Sequence, residues 1–299
     1  NLLKSKKNIM SIIKLLDEFS SEKLTTKSSS RREMFSTLGS FGKKAAMAAV
    51  PFGLASTKAN AMFQDSGNPA VDALQLALTL EYLEAEFYLK ALESGVLPSG
   101  RPETVYMQIS KHESAHVDFL VAGLEGAGAT PVSKPNFDFT AGGAFDPFND
   151  NGIGEATAYA QLLALAQAFE DTGVRAYKGQ AANLMGTPFL EPALQIHSVE
   201  ARHASEIRRI RGLEGWITLN NRGEGMPEAT QAVYDGEEVT TQAGIDLVGY
   251  DYGDSPLVGD AAEAVSQAFD EPITAETATA IASLFIVSGD SDSDSDSDS

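Results

Sequence analysis

Apolar positions recur at intervals of three and four between residues 69 and 213, which is the spacing of amphipathic helices. Proline, glycine and asparagine divide this part into four predicted helices, at about 69–94, 102–125, 155–184 and 190–213. A stretch of about 25 residues rich in Gly, Pro, Asn and Asp separates helices 2 and 3, long enough to return the chain along a bundle. No comparable strand alternation occurs there. The sequence therefore predicts an all-α four-helix bundle with one long crossover between helices 2 and 3.

The hydrophobic pattern is weaker after Trp216. Residues 217–257 are rich in Gly, Glu, Asp and Thr and are predicted to be irregular, whereas 261–269 and 275–287 are predicted to form short helices that pack on the bundle. The closing Ser-Asp repeat predicts a solvated, disordered acidic tail. We expect four parts: an export signal at 1–61, the bundle at 62–215, a C-terminal extension at 216–287 and the tail at 288–299.

Every predicted helix carries ionisable side chains on its apolar stripe. The stripes are Leu74, Ala77, Glu81, Glu84 and Tyr88 in helix 1; Ile109, Glu113, His116 and Leu120 in helix 2; Leu163, Ala166, Glu170, Gly173 and Tyr177 in helix 3; and Ile196, Glu200, His203, Ile207 and Ile210 in helix 4. One such group alone is more simply a surface acid or a hydrogen-bonded core histidine. Together they would place several carboxylates in one core, which is unfavourable unless these are protonated, paired or bound to cations.

The polar pattern occurs twice along the chain. The matching residues are Glu81 and Tyr88 with Glu170 and Tyr177, and Glu113 and His116 with Glu200 and His203. The matching glutamates are separated by 89 residues in the first pair and by 87 in the second. This register indicates a helical hairpin that is repeated with its polar residues in place.

Residues 112–116 read His-Glu-Ser-Ala-His, which matches the HExxH signature of zinc proteases. Only the ExxH part recurs in the second half, since Val199 stands where His112 would have its counterpart. The extended protease motif also needs Gly and His where this chain has Phe119 and Ala122. The sequence therefore argues against a zinc protease.

Charge and cysteine content limit the remaining function classes. The chain has 42 acidic and 22 basic side chains, and residues 62–299 alone carry 38 acidic against 11 basic ones. A body this acidic repels nucleic acid and anionic membranes but attracts cations. There is no cysteine, which excludes disulfides, thiolate nucleophiles and thiolate metal sites. Any metal must be held by Glu, Asp and His.

The basic N-terminal part has the features of a targeting sequence. Arg31 and Arg32 precede an apolar run at 45–55 and a small-residue cleavage pattern that ends at Ala61. This resembles a twin-arginine export signal, although Phe35 stands one position later than usual. A disordered basic tail is the alternative. We expect cleavage after Ala61 and export, through the twin-arginine machinery, to the periplasm or the outside of the cell.

The order Glu, ExxH, Glu, ExxH over four helices resembles that of ferritin-like carboxylate-bridged dimetal proteins. The phrases "LEYLEAEFY", "HESAHVDFL", "AFEDTGVRAY" and "VEARHASEIR" are similar, more specifically, to the bacterial branch related to plant desiccation-associated proteins, over about residues 66–215. The resemblance implies six metal ligands: Glu81, Glu113, His116, Glu170, Glu200 and His203. It also implies that Glu113 and Glu200 bridge two ions.

Two divalent ions would neutralise the four ligand carboxylates. Oxygen and imidazole ligands suit iron or manganese, although zinc competes on affinity. Five further polar residues lie beside the ligands: Glu84, Tyr88, His112, Tyr177 and His197. The role of Glu84 stays open between an extra ligand, a hydrogen-bonding neighbour and a protonated bystander. The two tyrosines either hydrogen-bond the site or pack as aromatics, and we expect at least one of the two histidines to contact a ligand.

Two functional hypotheses follow from the resemblance. The first is a redox-active dimetal protein, ferroxidase-like or catalase-like, that handles oxygen, peroxide or ferrous iron in the cell envelope. The second is a non-catalytic bundle associated with stress or desiccation, in which metal only stabilises the fold. The fold does not decide between them.

Overall fold

The computed structural model describes residues 66–252 and 259–287. The predicted export signal with Arg31, Arg32 and Ala61, and the predicted acidic tail, lie outside these residues. Four long helices form the main body: α1 Pro69–Glu93, α2 Arg101–Gly126, α3 Glu155–Gln180 and α4 Leu190–Ile210. Over the described ranges, no helix is both long and apolar enough to cross a membrane.

Helix α1 begins and ends where its sequence predicts. The side chain of Asn68 accepts a hydrogen bond of 3.1 Å from the amide of Ala70, and Pro69 occupies the first turn, where no amide donor is needed. After the helix, Gly95 has a φ of +72°, the left-handed conformation that favours glycine. These local signals set the start and the end of the helix that carries Glu81.

Helices α3 and α4 end earlier than predicted. The chain leaves the α-helix after Gln180 and makes one 3-10 turn at Ala181–Leu184. Helix α4 stops at Ile210 because Gly212 takes a φ of +78° and the amide of Leu213 donates to the carbonyl of Arg208 at 2.9 Å. Both helices still extend past their predicted ligands, since α3 ends after Glu170 and α4 ends after His203.

The four helices pack as two hairpins, α1 with α2 and α3 with α4. Between the hairpins, α1 contacts α3 more extensively than α2 contacts α4. The predicted four-helix bundle with a long crossover is confirmed. Its polar stripes meet at the centre, because each helix turns its apolar face toward the other three.

The C-terminal extension covers the side of the bundle formed by α1 and α3. Its helix α6, Ala275–Ser283, contacts both helices, and a 3-10 helix at Glu228–Val233 contacts α3. The extension also contains the short helix α5, Ala261–Ser266, and an antiparallel pair of two-residue strands, β1 Thr241–Gln242 and β2 Ile245–Asp246. Helix α3 is consequently buried over most of its circumference.

The crossover is more ordered than its composition predicts. Phe137, Phe139 and Phe145 are buried in one cluster with Phe87 and Phe169 of the bundle. The crossover also pairs with the end of the extension, where Phe137 and Ile286 form an antiparallel bridge. This pairing explains why α6 ends before the predicted 287: the chain leaves the helix to hydrogen-bond the crossover.

One buried ion pair attaches the extension to α3, and a second joins α3 to α4. Arg175 of α3 is 1% exposed and lies 2.6 Å from Glu237, while Arg208 of α4 lies 2.5 Å from Asp171. The hydroxyl of Tyr234 also donates to Asp171, at 2.7 Å. The sequence pattern does not predict these pairs, since the two partners of each belong to different elements.

Candidate metal centre

The six predicted ligands converge at the middle of the bundle. Helix α1 contributes Glu81, α2 contributes Glu113 and His116, α3 contributes Glu170, and α4 contributes Glu200 and His203. All six are buried, and the four glutamates are 0% exposed. Their positions follow from the stripes, because residues three or four apart on a helix share one face.

The six residues form two overlapping groups of four. The first is Glu81, Glu113, His116 and Glu200, and the second is Glu113, Glu170, Glu200 and His203. Within each group, one ligand atom from every residue lies within 4.8 Å of the others. Each group could hold a metal ion, and Glu113 and Glu200 belong to both.

The two histidines occupy matching places in this cluster. The Nδ1 atom of His116 lies 3.2 Å from Glu81, 3.0 Å from Glu113 and 3.1 Å from Glu200. The Nδ1 atom of His203 lies 3.0 Å from Glu113, 3.2 Å from Glu170 and 3.7 Å from Glu200. Each imidazole therefore faces three carboxylates, a set of nitrogen and oxygen donors that suits a divalent transition metal.

The shared carboxylates provide a test of whether cations fit. Oε1 of Glu113 and both carboxylate oxygens of Glu200 are buried and accept no hydrogen bond from any described residue. Imidazole nitrogens lie near these oxygens but are not oriented to donate to them. Buried carboxylate oxygens without donors are unfavourable, and a cation satisfies them. The free oxygens belong to the two residues common to both groups, so the cluster fits two cations.

The shifted pKa values of the cluster residues also show that its carboxylates need compensating positive charge. Burial and the charge of Glu200 raise the pKa of Glu113 to about 8. Burial opposes protonation of His116, but the surrounding carboxylates outweigh it and raise its pKa to about 12; the pKa of His203 is raised in the same way. Burial disfavours the charge of Glu200, yet both histidines outweigh this and lower its pKa to about 2. Without metal, bound protons compensate the carboxylates, and cations would replace those protons.

The family comparison agrees with the fold and with this geometry. The family model of the ferritin-like domain matches residues 70–213. This segment has a ferritin-like fold. No curated protein matches the chain. The matched segment contains all six residues of the cluster and nearly all of the four long helices, so the candidate metal ligands lie in this segment and not in the extension.

Two tyrosines of the bundle hydrogen-bond the cluster across the hairpins. The hydroxyl of Tyr88 donates to Oε1 of Glu170, and that of Tyr177 donates to Oε1 of Glu81 at 2.6 Å. Burial and the neighbouring carboxylates raise the pKa of both tyrosines, so both keep the proton they donate. Of the two predicted alternatives, hydrogen bonding is the one observed. The partners are crossed: each tyrosine binds the glutamate of the other hairpin.

The two remaining histidines have different environments. Nδ1 of His112 lies 2.8 Å from Nε2 of His203, and its Nε2 lies 2.7 Å from the side-chain nitrogen of Gln108. Nδ1 of His197 instead donates to the carbonyl of Val174, at 2.9 Å. One of the two histidines thus contacts a predicted ligand. Since His112 lies outside both groups of four, the HExxH pattern does not form a metal site of its own.

Glu84 is a fifth buried carboxyl group beside the cluster, and it is 3% exposed. Burial and the charges of the four cluster glutamates, Glu200 first, raise its pKa well above the ordinary value. It lies outside both groups of four.

Two positions beside the cluster were not predicted from the sequence. The first is Gly173, the neighbour of Glu84, although the repeat indicates it because helix 3 has glycine where helix 1 has Glu84. Gln108 was also missed, although it lies one helical turn before His112.

Proposed function

We propose that this protein binds two divalent cations, iron or manganese, between Glu113 and Glu200, and that the loaded centre handles oxygen, peroxide or ferrous iron. The observation that carries the proposal is the pair of overlapping groups whose two shared residues have buried oxygens without donors. Two divalent cations would neutralise the four cluster carboxylates. The donor set of oxygen and imidazole supports iron or manganese over metals that prefer sulfur.

A redox-active pair of cations would supply the electron transfer that oxygen, peroxide or ferrous iron requires. The protein contributes binding and orientation. Tyr88 and Tyr177 hold the carboxylates of Glu170 and Glu81 through buried hydrogen bonds. His112 contacts the outer nitrogen of His203, an interaction that orients a ligand imidazole.

The first experiment measures metal content. Purified protein, stripped and reloaded with Mn²⁺ or Fe²⁺, should contain two ions per chain. Glu170→Ala should lower this number, whereas His112→Ala should still reach two at saturating metal. Glu93→Ala, an exposed acid at the end of α1, is the matched control. A zinc protease helix predicts the reverse, so retention of both ions by Glu170→Ala together with their loss from His112→Ala would refute the dimetal proposal.

The second experiment tests the chemistry. The protein loaded with iron or manganese is assayed for oxidation of Fe²⁺ by oxygen and for removal of peroxide, with Glu170→Ala as the deficient variant. Turnover that depends on Glu170 supports the redox function. Two bound ions that raise thermal stability but turn over neither substrate would support the non-catalytic structural bundle instead.

We also propose that the protein is exported and acts in stress protection. Arg31, Arg32 and the cleavage pattern at Ala61 support twin-arginine export. The four helix phrases support a place in the bacterial branch related to desiccation-associated proteins, which is the basis for the stress role. An exported ferritin-like domain would meet metal and oxidants in the cell envelope.

A further inference from the structure

The internal repeat would make the two candidate metal positions equivalent. Each group of four contains three glutamates and one histidine, with the same two glutamates shared. Two places in the repeat break this equivalence. Glu84 of α1 corresponds to Gly173 of α3, and His112 of α2 corresponds to Val199 of α4. Both differences concern groups that bear on metal binding, so their location decides how the two positions differ.

The first difference places an extra carboxyl group beside the cluster. An ideal Cβ atom on Gly173 would lie 3.4 Å from Oε1 of Glu84 and 3.4 Å from Oε2 of Glu200. Alanine at this position would touch both carboxylates at about the ordinary contact distance, and a residue larger than alanine would press on them. The glycine of one hairpin therefore leaves the space into which Glu84 of the other hairpin extends.

Glu84 approaches one metal position more than the other. Of the two oxygens of Glu200, Oε1 lies 3.1 Å from Nδ1 of His116 and Oε2 lies 3.7 Å from Nδ1 of His203. Glu84 shares the space over Gly173 with Oε2, the oxygen on the His203 side. The charges that act most strongly on Glu84 are those of Glu200 and then Glu170, ahead of the other two cluster carboxylates. The extra carboxyl group thus belongs to the side of Glu170 and His203.

The second difference concerns the same side. Because Nδ1 of His203 faces the cluster, its Nε2 is the outer nitrogen, and this atom lies 2.8 Å from Nδ1 of His112. Such an outer partner fixes the ring orientation and the tautomer of a ligand histidine. Val199 holds the corresponding place in the repeat, and its side chain can neither donate nor accept a hydrogen bond. The His116 side has no equivalent of His112 in the repeat.

We infer that the two metal positions are unequal and that the position formed by Glu170 and His203 binds its cation first and more tightly. This inference rests on the proposed function, which supplies the two cations. A further nearby carboxyl group raises the affinity of an oxygen site for divalent metal, because the cation favours its ionised form. An outer hydrogen-bond partner of a ligand is typically worth about 10- to 100-fold in metal affinity. Both effects favour the same position, so the centre fills in two steps.

The test is a titration of the metal-free protein with Mn²⁺, followed by calorimetry and by electron paramagnetic resonance. The first equivalent should give the spectrum of isolated Mn²⁺, and the spin-coupled pair should form only during the second. The two dissociation constants should differ by roughly tenfold or more. Glu170→Gln should weaken the first step, whereas Glu81→Gln should leave the first step unchanged and weaken the second.

Two substitutions remove the asymmetry itself. Glu84→Gln, which keeps the side-chain shape, and His112→Val, which copies the second half of the repeat, should each bring the two constants closer. Glu93→Gln on the exposed end of α1 is the control and should change neither constant. The double variant His112→Val/Val199→His should tighten the second step at the expense of the first.

The outcomes separate this inference from the proposed function. Two equal constants in the unaltered protein, or a coupled pair from the first addition, would overturn the inference while leaving a two-metal centre intact. A Glu84→Gln variant that weakens only the second step would also overturn it. Failure of the unaltered protein to bind Mn²⁺, Fe²⁺ or Zn²⁺ would overturn the proposed function, and the inference with it.

Discussion

Replacing Tyr88 or Tyr177 with phenylalanine removes one hydroxyl group each and keeps the aromatic ring. The two rings are 0% and 6% exposed, and their acceptors, Glu170 and Glu81, are 0% exposed. Water cannot readily replace either donor at this depth. We expect Tyr88→Phe to weaken the metal position of Glu170 and Tyr177→Phe to weaken that of Glu81, because the hydrogen bonds cross between the hairpins.

The magnitude follows from the charge and burial of the acceptors. A hydrogen bond to a charged group contributes about 1.5–3 kcal/mol, and a tenfold change in a dissociation constant corresponds to about 1.4 kcal/mol. Each substitution should therefore weaken the affected metal step roughly 10- to 100-fold. The other step should change much less, because the second tyrosine keeps its own glutamate in place.

The assay is the stepwise Mn²⁺ titration, with Tyr106→Phe as the control. Tyr106 is as buried as Tyr88, but its hydroxyl lies 3.5 Å from the carbonyl of Leu162 and hydrogen-bonds no described residue of the cluster, so both metal steps should change little. Weakening of the Glu81 position by Tyr88→Phe would show that the crossed hydrogen bonds do not hold the ligands. Unchanged binding in both variants would show that they are not needed.

Four further predictions concern metal removal, pH dependence, attachment of the extension and export. Removal of metal should lower the melting temperature at pH 7, since ligand present at 100 times its dissociation constant stabilises a site by about 2.7 kcal/mol; equal melting temperatures with and without chelator would contradict this. In the metal-free protein the folded pKa of Glu113, about 8, lies above its ordinary value of 4.5, so its stabilising contribution is complete below pH 4.5 and is lost as the pH rises through 8. Melting curves across this range should show the fall without metal only. Arg175→Met should destabilise the protein by about 3–5 kcal/mol in urea unfolding because it leaves Glu237 buried without its partner, and the double variant with Glu237→Gln should recover part of the loss. Lysine in place of both Arg31 and Arg32 should keep the protein in the cytoplasm, whereas unchanged secretion would remove the twin-arginine proposal.

Local pattern was sufficient to predict the four helices and the faces that carry the cluster. Helical periodicity assigns each residue to a face, and every helix must bury its apolar face in the bundle. Glu81 and Glu170 had to point inward for that reason, since each continues the apolar stripe of the preceding helical turns. The repeat added the expectation that the two halves would place their ligands alike.

The sequence also contained signals for details that were predicted less well. Gly212 follows the end of α4 and marks its cap, although the pattern of apolar residues continues to Leu213. The phenylalanines of the crossover were visible as apolar residues, but irregular segments have no period that shows which of their side chains turn inward. Their burial depends on the surface against which the segment lies.

Tertiary structure alone decided which side chains meet across the cluster. Periodicity gives the direction of a side chain around its own helix axis, but not the offset or the rotation of one helix against another. That offset pairs Tyr88 with Glu170 and not with Glu81 of its own helix, and it sets Glu84 over Gly173. It also brings His112 to the outer nitrogen of His203, 91 residues away along the chain. Contacts between helices depend on how ridges of side chains from all four fit together, which is a property of the packed bundle and not of any one segment.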